Sequence, residues 1–158
     1  KRASAFGMKI IFYDPFVTIE EIHECGCDPV TLDELAARSD VITLHIPLTD
    51  RSRDLFDARR FAMMKDGVYL IDAARGGIVN EAALLEALKS GKVAGAALDV
   101  FSHEPPTPEL IELINHPRVI ATPHIGAQTV EAQKRAAHDI STEILAALRG
   151  EPLRWRAA

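Results

Sequence analysis

Five short apolar runs recur along the chain: MKIIFY from Met8, DVITLHI from Asp40, GVYLID from Gly67, KVAGAALDV from Lys92 and RVIAT from Arg118. Longer stretches with helical spacing separate them. Strands alternating with helices in this way predict an α/β architecture, a parallel sheet with crossover helices. The runs are almost continuously apolar instead of alternating, which predicts strands covered on both faces.

Local punctuation marks the helices. Thr31 and Glu34 have capping-box spacing for a helix through Arg38. Asn80-Glu81 opens a helix predicted to reach Lys89, with Gly91 just past its end. Thr129 caps a long helix through about Arg149, in which Val130, Ala137, Ile140, Ile144 and Leu148 recur on one face before Gly150 stops it. One apolar face implies docking on other structure. Lys1 to Gly7 reads as the end of a helix, and the lone Trp155 of the tail is expected to pack.

Composition narrows the class. With 158 residues, 47% of them hydrophobic, the chain suits one globular domain or one domain with an appendage. A net charge of −5 with scattered Lys and Arg predicts no nucleic-acid partner, since a phosphate backbone needs clustered cations. No apolar run reaches the ~18 residues of a membrane span, so no membrane partner and a cytoplasmic location are expected. Cys25 and Cys27 are expected to be reduced thiols. With His23 they form HECGC, read as a loop, and no metal site is predicted.

Ligands of open parallel sheets bind beyond the carboxyl ends of the strands, where loops vary on a rigid support. Those exits carry Asp14, then His45 to Thr49, then Asp72 and Arg75, then Asp99, then His124. Asp14 has two readings: it starts a turn with Pro15, or it accepts a hydrogen bond from a ribose 2′-hydroxyl. Its run reads as the second strand of a dinucleotide-binding unit, and that position favours the ribose. His45 reads as a satisfied structural histidine, not the acid. Arg75, in DAARGG, offers a rigid fork of donors that matches a substrate carboxylate, and its two glycines permit close approach of backbone to a ligand. The alternative for Arg75 is an ordinary surface arginine. His124, between Pro123 and Gly126, suits a proton donor to a carbonyl oxygen. Glu104, on the loop after the preceding strand, is placed by topology to pair with it and favour its protonated form. A plain loop ion pair is the alternative for those two.

The ordered motifs YDP, LHIPLT, DAARGGIVNEAAL, GAALDVFSHEP and TPHIGAQT resemble the NAD-binding domain of the D-isomer-specific 2-hydroxyacid dehydrogenases. The resemblance covers nearly the whole chain. It implies a Rossmann-type fold, NAD as cofactor and a small 2-hydroxy or 2-oxo acid as substrate. It also implies Arg75 as the substrate-binding arginine, His124 as acid/base and Glu104 as its partner. By the same resemblance Asp14 holds the adenosine ribose, Asp99 meets the nicotinamide carboxamide, and Pro47, Thr49, Ala73 and Gly126 contact the cofactor partly through backbone. Asp72 stands where an asparagine is common in the family.

Family chains are about twice this length and carry a GxGxxG loop just before the point that matches Lys1. The expectation is therefore an incomplete Rossmann unit at residues 1–128, followed by a helix and tail at 129–158 that would pack on a substrate domain. Its neighbouring strands would face each other across the place of the first, central strand. A homodimer is implied for the complete enzyme. The alternatives are a nucleotide-sensing scaffold of the same fold and an inert fragment.

Overall fold

The computed structural model describes residues 2–155. The chain divides into two compact units, Lys1–Ala121 and Thr122–Ala158.

In the first unit, a short helix α1 (Arg2–Ala5) leads to β1 (Ile11–Phe12), α2 (Ile19–Glu24), β2 (Asp28–Pro29), α3 (Leu32–Arg38) and β3 (Val41–Leu44). Then come α4 (Ala58–Met63), β4 (Val68–Asp72), α5 (Glu81–Ser90), β5 (Val93–Leu98), a 3₁₀ turn at Pro108–Leu110, α6 (Ile111–Ile114) and β6 (Val119–Ala121). Every strand pairing is parallel. β1 and β2 form one two-stranded sheet, and β3-β4-β5-β6 form a second, in sequence order. The expected helices are present: Thr31 completes a capping box on α3, Asn80 caps α5, and Gly91 ends it at φ 83°, the left-handed region that glycine enters freely. Thr18 closes a second capping box, with Glu21, on α2. The helix end expected before Gly7 is present as α1, with Lys1 outside the described residues.

Two expectations change. The strand expected from Met8 to Tyr13 pairs only over Ile11–Phe12, because β2 is equally short and β1 has no second neighbour among the described residues. The large strands are covered on one face only. In β4, Val68, Leu70 and Asp72 are buried while Tyr69 and Ile71 are exposed, and Val41 and Ile120 are exposed as well. The buried face meets the helices: Ile42, Leu44, Val68, Leu70, Ala96 and Leu98 join Phe61, Leu84 and Leu88 in one core. Leu84 and Leu88, both at 0% exposure, each stabilise the fold by roughly 2 kcal/mol through burial.

One close contact joins two loops at the sheet's edge. A Cβ on Gly76 would lie 1.8 Å from the carbonyl oxygen of Phe101, so only glycine lets the segment after β4 run against the segment after β5.

The second unit holds α7 (Val130–Leu148), capped by Thr129, whose side chain accepts the Ala132 amide. None of its residues is buried, and Val130, Ile140, Ile144 and Leu148 form an exposed apolar stripe. The Arg154 amide donates to Glu143 at 3.0 Å, tying the tail to the helix. Trp155, expected to pack, is exposed. No described helix is long and apolar enough to cross a membrane.

The two glycine environments predict different costs. Gly76→Ala forces backbone apart and should destabilise by about 3 kcal/mol, whereas Gly91→Ala has open space around it and should cost only about 1 kcal/mol of left-handed strain. Urea unfolding of the two variants checks this. Equal losses would contradict the packing role given to Gly76.

Candidate active site

The four strands of the large sheet end flush. Leu44 pairs with Asp72, Asp72 with Leu98, and Leu98 with Ala121, in a single row across β3, β4, β5 and β6. Parallel strands that stop together release their chains at one edge, so the segments opening with His45, Ala73, Asp99 and Thr122 all begin there.

The segment after β4 is the most constrained. Asp72 is 2% exposed and its Oδ1 accepts the Ala74 amide at 2.9 Å. The Asp99 amide donates to the Asp72 carbonyl, also at 2.9 Å, linking this exit to that of β5. Burial pushes the Asp72 carboxyl from 3.8 up to about 6, against the opposing pull of the Ala74 and Arg75 amides. Glu81 raises it further, and His45 lowers it. Arg75 itself is exposed, and its Nη1 donates to the Ala74 carbonyl at 2.6 Å. The close approach anticipated for the glycines after Arg75 is made, by Gly76, to the chain's own Phe101 backbone.

That contact sets the Arg75 segment against the segment carrying Glu104. The Glu104 carboxylate accepts the Phe101 amide at 3.0 Å, a local turn that orients it. Glu81, at the start of α5, reaches the same segment: its carboxylate accepts the Ser102 amide at 2.7 Å and the Ser102 hydroxyl at 2.5 Å. Neither Gly76 nor Glu81 was a site candidate from sequence, because their partners lie 25 and 21 positions away and no local pattern marks them.

After β3, His45, read as a buried histidine satisfied at a strand end, is instead exposed, and Nε2 of its ring bonds the Thr43 hydroxyl at 2.9 Å. Pro47 and Thr49 belong to a turn organised by Ser52, which is 7% exposed. The Ser52 hydroxyl donates to the Pro47 carbonyl at 2.7 Å and accepts the Thr49 amide at 2.7 Å. Ser52 thereby fixes the backbone that carries Pro47 and Thr49, and Thr49-x-x-Ser52 has the spacing of a hydroxyl-closed turn. Ala73 is exposed, and Asp99 is buried.

At the exit of β1, Asp14 Oδ1 accepts the Phe16 amide at 2.9 Å, so the turn role is real. A carboxylate has a second oxygen, which leaves room for the ribose role too. Asp14 stands on an open groove of about 780 Å³ whose walls include Phe12, Val17, Ile22 and Val30. Asp33 and Glu34 line the same groove, and apolar walls with carboxylates among them suit a flat apolar base with a sugar hydroxyl. HECGC, expected as a loop, is the last two residues of α2 followed by a turn from Cys25, which is exposed, and neither thiol is in a disulfide.

His124 and Gly126 belong to the second unit. His124 has φ 55°, unusual for a residue with a side chain, and its amide donates to the Thr122 carbonyl at 3.1 Å. A left-handed histidine costs roughly 1 kcal/mol, and such strain concentrates where a side chain must be aimed. Arg75 and Glu104, in contrast, are in the first unit.

Known proteins match this chain closely. A D-3-phosphoglycerate dehydrogenase of Bacillus subtilis is 49% identical over 153 residues, covering 97% of this chain and 29% of that protein. A hydroxypyruvate reductase of Thermotoga maritima is 48% identical over 145 residues, covering 91% of this chain and 46% of that protein. A crystal structure of D-lactate dehydrogenase from Aquifex aeolicus, complexed with NAD and lactic acid, superposes with a TM-score of 0.87 at 37% identity, over 95% of this chain and 49% of that one. The chain thus spans less than half the length of these relatives. The model of the D-isomer specific 2-hydroxyacid dehydrogenase, NAD binding domain, matches residues 1–126, and on that match the chain belongs to the D-isomer specific 2-hydroxyacid dehydrogenase family.

Proposed function

We propose that this chain is the NAD-binding, catalytic-residue-bearing part of an NAD-dependent oxidoreductase that interconverts a small D-2-hydroxy acid and its 2-oxo acid. The observation that carries the reading is the flush row Leu44, Asp72 and Leu98, from which the segments carrying LHIPLT, Arg75 and Glu104 emerge at one edge. Touching backbone at Gly76 and Phe101 keeps the Arg75 and Glu104 segments together there.

Asp14 holds the adenosine ribose on the groove at the β1 exit, Asp99 meets the carboxamide, and Pro47, Thr49, Ala73 and Gly126 complete the cofactor's surroundings. When bound, NAD supplies or accepts the hydride at C2 of the acid. Arg75 grips the substrate carboxylate with paired donors, which fixes the orientation of C2. In the reducing direction a ring nitrogen of His124 gives its proton to the C2 oxygen, and it takes the proton back in the oxidising direction. Glu104 favours the protonated imidazole that the reducing direction requires. The reading includes a homodimer, a cytoplasmic location and residues 129–158 packing on a substrate domain, each supported by the family resemblance or the composition.

The test uses a protein in which this chain is joined to its substrate-domain sequence. His124→Ala should lower kcat by about 10²-fold or more while the NAD Kd, from fluorescence quenching, stays within about twofold. Unchanged turnover contradicts the acid/base role. Arg75→Ala should raise KM for a 2-oxo acid by roughly 10- to 100-fold, the loss of a charge-assisted pair. Asp14→Ala should weaken NAD by about tenfold and leave KM for the acid unchanged. An unaffected NAD Kd removes Asp14 from the cofactor site.

A further inference from the structure

A buried carboxylate underlies the Arg75 segment. Asp72 closes β4 on the same buried face as Val68 and Leu70. Sheet packing asks for an apolar residue there, since a carboxylate taken out of water is costly unless it is bonded. Its bonds run forward along the chain. Oδ1 takes the Ala74 amide at 2.9 Å, and the next amide, that of Arg75, favours the ionised carboxylate as well. The residue that leads into the arginine is thus bonded to a rigid strand end.

We propose that Asp72 is a positioning residue for Arg75: its carboxylate holds the Ala74 amide, one residue before the arginine, and so sets where the guanidinium meets the carboxylate of a 2-oxo acid. The substrate half of this statement rests on the function proposed above. The titratable groups around Asp72 come from three exits and one helix: His45 after β3, Arg75 on its own segment, Asp99 after β5, and Glu81 at the start of α5. With the carboxyl pushed up to about 6 by burial, the hold changes character in mildly acidic solution. Above that pH the Ala74 amide bonds an anion; below it the amide bonds a neutral acid, and the bond is roughly half as strong.

Two readouts test this. The first needs no substrate. In the ligand-free protein, the Ala74 and Arg75 amide NMR signals should titrate together with a midpoint near the Asp72 value of about 6, and Asp72→Asn should abolish that titration. The folded carboxyl keeps its proton to higher pH than the unfolded one. The wild-type Tm should therefore fall relative to Asp72→Asn as pH rises from 3.8 to about 6. The second readout is KM for glyoxylate, the smallest 2-oxo acid, measured with NADH on a protein carrying this chain and its substrate domain. Wild-type KM should rise by about threefold between pH 7.5 and 5.5. Asp72→Asn keeps an acceptor oxygen without a titrating charge, and should show near-normal KM with that pH step removed. Asp72→Leu should raise KM about tenfold with kcat within roughly twofold.

Amides that do not titrate, or a KM unchanged in Asp72→Leu, overturn the positioning role. If the amides titrate but the wild type shows no saturable use of glyoxylate, hydroxypyruvate or pyruvate, the 2-oxo acid reading has failed. The substrate half of the proposal falls with it.

Discussion

The register of the four-stranded sheet is the constraint on which the rest depends. Hydrogen bonding places Leu44, Asp72, Leu98 and Ala121 in one row, so four chains leave the sheet at the same height. A one-residue slip of any strand would turn its side chains over, moving Asp72 from the buried to the exposed face and losing its grip on Ala74. The core beneath, with Leu70, Val93, Leu84 and Leu88 almost fully buried, makes such a slip costly. Packing energy far from the edge therefore fixes geometry at the edge.

Loops are mobile by default, and here they are restrained by contacts of three kinds. Asp72 and Ser52 bond amides of their own segments. Glu81 reaches from α5 to Ser102. Gly76 admits the Phe101 carbonyl where any side chain would collide. These contacts join the Arg75 and Glu104 segments into one assembly. A clamp for a planar carboxylate needs that stiffness, because bidentate bonding tolerates little misalignment.

The legible features were those encoded within a few residues. Thr31 with Glu34, Asn80, Gly91 and Thr129 each declared a helix end because capping is a contact across three or four positions. Thr18 with Glu21 has the same spacing and could have been found by the same rule. The strand exits were also readable, since parallel topology follows from alternation alone. Illegible from sequence were contacts between distant segments, Gly76 with Phe101 and Glu81 with Ser102. The number of covered sheet faces was misjudged for a related reason: Tyr69, Ile71 and Ile120 are apolar, but apolarity does not say whether a partner is present. The roles proposed for Arg75, His124 and Glu104 rest on residue types in motifs.

The central claim is that this edge receives a 2-oxo acid by its carboxylate. The most direct measurement is a crystal structure, with NAD and oxamate, of a protein carrying this chain and its substrate domain. The account predicts the oxamate carboxylate paired with the Arg75 guanidinium and the oxamate carbonyl oxygen facing the His124 ring. Oxamate bound away from Arg75, with that guanidinium still turned onto the Ala74 carbonyl, would contradict it.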